Sequence, residues 1–139
     1  MHLTTGQVEL IRRTFSSLEP KARVAALAYF QKLFSLNPRL RPGTDFNLEA
    51  ESEKVLAVWR AAIEFADEPR LLKPWLCTPG QRCFSYDPGG KCDRESEEAL
   101  LWSLSTTLGC EFTPEARAAW VRLHAVVGEV SRSVPRTGL

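Results

Sequence analysis

Apolar residues recur at intervals of three and four along almost the whole chain, and no stretch alternates apolar with polar as a half-buried strand would. That period points to one kind of architecture, helices that each bury a stripe against their neighbours. Val8, Ile11, Phe15 and Leu18 mark one face of a first helix, and Thr4 with Gln7 has the spacing of a capping box ahead of it. Pro20 ends this helix and can open the next, where Val24, Leu27, Phe30 and Phe34 form a second stripe. Asn37-Pro38 stops it, and Pro42-Gly43 adds a turn. The spacing of Val55, Leu56, Trp59 and Ile63 predicts a third helix from about Leu48 to Ala66, and Pro69 starts a short one over Arg70 to Leu76. Between Thr78 and Cys92 lie two prolines and three glycines, so the stretch reads as loop with at most one helical turn.

Two helices close the chain. Glu97 to Leu108 carries Leu100, Leu101, Leu104 and Leu108 on one side. After Gly109 comes Thr113-Pro114-Glu115: an N-cap, a proline at the first helical position, and an acid against the positive end of the dipole. The last helix then presents Trp120, Leu123, His124, Val127 and Val130 on one face.

The 139 residues suit a single domain, and 44% hydrophobic against 25% charged is the balance of a globule. Eighteen basic side chains stand against seventeen acidic, net charge +1, with no basic stripe to hold nucleic acid. No apolar run reaches the roughly 20 residues of a membrane span, and Met1-His2-Leu3-Thr4-Thr5 lacks a signal peptide's regions. The expected compartment is the cytoplasm, with Cys77, Cys83, Cys92 and Cys110 reduced.

The stretches LIRRTFSSLEP, AYFQKLFSLNPRLRP, EALLWSL and LGCEFTPEARAAWVRLHAVV resemble bacterial single-domain haemoglobins and the globin part of flavohaemoglobins, with FTPEARAAW the most specific piece. The likeness runs from about Leu3 to Val130. It implies an all-α globin fold, helices crossing steeply around a central pocket. Residues 1–131 are then a globin-like domain and 132–139 a flexible tail.

The resemblance departs from its family where haem chemistry belongs. The family's haem-ligating histidine, counted without gaps from Leu76 to Leu104, falls on Cys83, in QRCFSY with Gln81, Arg82 and Tyr86 around it. His2 and His124 are the chain's only histidines, so no shift of register restores it. The distal glutamine or histidine falls on Glu51 and the second-helix tyrosine on Phe30. The phenylalanine that wedges against haem falls on Thr44, with Phe46 able to reach the same space. Pro79-Gly80 and Pro88-Gly89-Gly90 leave the proximal helix shortened or broken.

Each candidate has a plain reading beside the chemical one. Cys83 is either a small soft residue filling the space of an imidazole or a thiolate ligand to haem iron. The cysteines show no C-x-x-C knuckle, which leaves unpaired thiols as the default and a Cys83–Cys92 redox disulfide as the alternative. His124 is a core histidine held by one partner, or a residue able to approach iron or Cys83. Glu51 belongs with Glu49 and Glu53 on a solvated face, or accepts a hydrogen bond in the pocket. Trp59, Trp102 and Trp120 read as core. No catalytic triad, phosphate loop or carboxylate pair stands out, so the chain leans away from an enzyme. The expectation is a divergent globin-fold binding or sensing module with no cofactor, its apolar pocket either collapsed or holding a small apolar ligand. A haem protein with unconventional ligation by Cys83 or His124, and a helical dimerisation partner, are the rival readings.

Overall fold

The computed structural model describes residues 2–40, 47–76 and 93–133. Among them there is no strand, and the architecture is all-α and globin-like. The helices are α1 (Thr5–Leu18), α2 (Ala22–Leu36), α3 (Leu48–Glu64), α4 (Leu72–Leu76), α5 (Asp93–Leu108) and α6 (Pro114–Ser133). Short 3-10 turns lie at Glu19–Lys21, Pro38–Leu40, Pro69–Leu71 and Gly109–Glu111.

The starts of three helices follow from local chemistry. Thr4 Oγ1 accepts the Gln7 amide at 3.1 Å while Gln7 Oε1 accepts the Thr4 amide at 3.0 Å, the reciprocal box expected for α1. Asn47 caps α3 through the Ala50 amide at 3.0 Å, and Thr113 caps α6 through the Ala116 amide at 3.1 Å. α5 begins at Asp93, a turn before the predicted Glu97. Asp93 and Glu95 in that added turn face the positive end of the helix dipole, which favours the earlier start.

The end of α3 is completed from elsewhere in the chain. Arg12 on α1 donates from Nε to the Ile63 carbonyl at 3.3 Å, and from Nη2 to the Glu64 carbonyl at 3.0 Å and Asp67 Oδ1 at 3.4 Å. A helix's last carbonyls have no partner within the helix, and one guanidinium serves two of them here.

The core forms where α2 packs extensively on α5 and α1 on α6. Val8, Ile11, Phe15 and Leu18 are buried as expected, as are Leu100, Leu101, Leu104 and Leu108. The expected α2 stripe holds at Phe30, which is buried, and at Phe34, which packs half-buried on the core, but fails at Val24 and Leu27. Val24 is 58% exposed and Leu27 42%, whereas Ala22, Ala25, Ala26, Tyr29, Phe30 and Leu33 are buried. The physical reason is close approach: small alanines let α5 and α3 come near, and the larger Val24 and Leu27 are turned to the rim. Trp59 and Trp120 are buried, and Trp102 is half-buried with the Lys32 ammonium 5.5 Å from its ring centre.

No described helix is long and apolar enough to cross a membrane. The expected break in the helix beyond Leu76 lies outside the described residues.

Candidate functional site

The candidate pocket residues come from α2, α3, α5 and α6, and their placement follows from the faces those helices bury. Phe30 on α2 is 2% exposed. Its ring meets Tyr29 edge-on at 5.4 Å and lies tilted against Phe34 at 5.7 Å. Tyr29 in turn stands perpendicular to Trp59 of α3 at 5.5 Å. Edge-to-face pairs of this kind contribute about 0.5–1.5 kcal/mol beyond area burial, so Phe30 belongs to a braced aromatic cluster.

Glu51 departs from its neighbours. Glu49 and Glu53 reach outward, both to Arg23, at 3.2 and 3.4 Å. Glu51 is buried on the same side of α3 as Val55, and Lys54 Nζ donates to its Oε2 at 3.2 Å. The carboxylate therefore sits inside, with its ion-pair partner half-exposed outside. The solvated-face reading holds for Glu49 and Glu53 and fails for Glu51, because helical spacing puts position 51, not 49 or 53, in line with Val55.

His124 is 2% exposed on α6 and meets Asp93 Oδ1 through Nε2 at 2.9 Å. Asp93 is the first residue of α5 and its side chain is about half exposed. The imidazole thus lies within the protein while its partner reaches the surface. Sequence reasoning placed His124 correctly on a buried face but missed Asp93. The signal was an acid at the start of a helix packed near α6, and it was hidden because the helix was read as starting later. Ser52 was also missed: it is 5% exposed, and its Oγ has no hydrogen-bond partner. Cys83 and Phe46, the other two candidates, lie outside the described residues.

The described donors do not fit haem iron. His2 is exposed at the start of the chain, where its carbonyl accepts from Arg122 Nε at 3.3 Å. His124 is buried, and its Nε2 already meets Asp93 Oδ1 at 2.9 Å, so that nitrogen is committed within the protein. Among the described residues, no group of three or more His, Cys, Asp or Glu could hold a metal ion.

No family model matches the chain. It is 26% identical to neuroglobin of Chaenocephalus aceratus over 139 residues, covering 90% of this chain and 87% of that protein. It is likewise 26% identical to neuroglobin-2 of Oncorhynchus mykiss over 151 aligned positions, 98% of this chain and 95% of the relative. Neuroglobin of Tetraodon nigroviridis matches at 25% with the same coverage. This likeness over nearly full length supports a globin family, in agreement with the helical architecture.

Proposed function

We propose that this chain is a divergent cytoplasmic globin that has given up histidine-ligated haem and reversible oxygen carriage, and serves as a binding or sensing module for a small apolar ligand held between its helices. The observation that carries the reading is the placement of the two histidines, His2 on the surface and His124 Nε2 on Asp93 at 2.9 Å. The aromatic side chains Tyr29, Phe30, Phe34 and Trp59, which meet between α2 and α3, supply the apolar surroundings that such a ligand would need.

The test is to purify the protein, add haem, reduce it, and record the absorption spectrum under oxygen. The expected result is no stable, reversible oxygenated form with histidine-type ligation. Observing one would overturn the proposal.

A second reading rests on Cys83 at the family's ligand position. Where haem does bind, Cys83→Ala is expected to change its spectrum and His124→Ala to leave it unchanged. The opposite pattern moves the ligand role to His124.

A further inference from the structure

We propose that the Asp93–His124 bond is a cofactor-independent tie that fixes the start of α5 against the middle of α6, so that this half of the globin fold stands without a bound group to organise it. The inference rests on the proposed loss of histidine-ligated haem, and it names what holds the fold in its place.

Three observations carry it. The bond joins residues 31 apart in the chain and two different helices at 2.9 Å. Its imidazole is 2% exposed, so the His124 side of the bond is shielded from water, while the Asp93 side chain is about half exposed. Asp93 is the first residue of α5, and its partner lies among Leu123, Val126 and Val127, all buried on α6. A hydrogen bond to a charged group is among the stronger side-chain contacts, and it gains where the surroundings are of low dielectric. Leu123 and Val127 pack without direction, whereas this bond specifies one register of α5 on α6. Its position favours a tie over a surface ion pair such as Arg70–Glu68, whose arginine side chain is 82% exposed.

The experiment is amide hydrogen exchange on the full chain prepared without added haem, comparing the natural protein with Asp93→Ala, His124→Phe and the double variant. Amides from Glu97 to Leu101 are read, because the first four amides of a helix lack partners within it. Asp93→Ala is expected to speed their exchange about tenfold or more, the equivalent of ~1.4 kcal/mol or above. Amides around Trp59 should change less than twofold. His124→Phe keeps the ring volume, so the double variant should exchange little faster than either single one. If the two effects multiply instead, the two residues act through other contacts and the tie is refuted. Less than a twofold change in Asp93→Ala also refutes it. Should His124→Phe fail to fold, the ring nitrogen signals of the natural protein and of Asp93→Ala decide. The tie requires Nε2 to carry the proton in the natural protein and its signal to shift in the variant; a signal that does not shift refutes it. A histidine-type oxygenated haem spectrum would sink the proposed function and leave these exchange results standing, so the two failures are distinguishable.

Discussion

Ser52 and Trp120 each keep a polar atom inside the protein without a hydrogen-bond partner, Oγ in one and Nε1 in the other. An unsatisfied buried hydroxyl costs about 1–3 kcal/mol relative to a satisfied one. Ser52→Ala removes the orphan atom and its desolvation cost, and alanine suits a helix interior better than serine. The variant is expected to be more stable by about 1 kcal/mol, read as a higher urea midpoint with an unchanged slope. A lower midpoint would mean that Ser52 Oγ is satisfied in solution. Gly109 makes a different demand. Its φ of +61° lies in the left-handed region, although a Cβ there would meet nothing within 4 Å. Gly109→Ala is therefore expected to lose about 1 kcal/mol through backbone conformation alone, and calorimetry checks it. At this scale the sequence was legible where period decides burial and silent where geometry does. His124 could be placed inside from Trp120, Leu123 and Val127, but nothing in its spacing named Asp93. Glu51 shows the same limit: three glutamates alternate along one turn, and only the crossing helices determine which of them is enclosed.

At the scale of the element, α2 separates composition from placement. Val24 and Leu27 are the larger apolar residues of its first turns, and a size-weighted reading puts them inside. The structure buries the alanines, because a helix that must lie close to two others needs small side chains at the crossings. Val24→Ser is accordingly expected to change stability by less than about 0.5 kcal/mol. Ala26→Leu, forced into a packed crossing, is expected to cost about 1–3 kcal/mol. Chemical denaturation of the pair tests the assignment, and a costly Val24→Ser with a harmless Ala26→Leu would return the stripe to its expected face. The starts of α1 and α6 were easier to read, since capping is local, whereas the Asn47 cap of α3 and the start of α5 were missed. Thr4, Asn47 and Thr113 all cap their helices, and Thr113→Ala should cost about 1 kcal/mol. Between elements, Arg60 grips Glu19 with two bonds of 3.0 and 3.3 Å. That hydrogen bond and the nearby carboxylates hold the guanidinium pKa above its ordinary value despite partial burial. Because Arg60 stays charged at any ordinary pH, salt and not pH should modulate this bridge. Arg60→Met is expected to lose under about 1 kcal/mol at low salt and less at high salt.

For the whole molecule, the all-α architecture was readable because helical period, proline stops and caps agree over most of the chain, and its globin-like character was implied by the resemblance of stretches such as FTPEARAAW. The candidate site was readable only in part. A site is assembled from residues far apart in sequence, and the contacts that decide its chemistry cross between helices whose relative placement no period encodes. The described core predicts a chain that unfolds as one unit. Trp59, 2% exposed and shared between α2 and α3 through Tyr29, is a sensitive point. Trp59→Ala is expected to cost about 3–5 kcal/mol and to lower the thermal midpoint without splitting the transition. Two separated transitions would mean that α2 and α3 do not share a cooperative core with α5 and α6.

Arg12 carries a further consequence, in the order of events. The last carbonyls of α3 are served by a side chain from α1, 51 and 52 positions earlier. The Ile63 carbonyl also accepts the Ala66 amide locally at 3.3 Å, so during folding it is chiefly the Glu64 carbonyl that waits for Arg12 until the two ends of the intervening chain have met. Such a contact forms late, since closing a loop of this length must precede its reward. It is also released early when the chain opens. Losing Arg12 should therefore leave the rate of folding nearly unchanged and hasten unfolding. The residue sets how long the native state persists rather than how quickly it is reached.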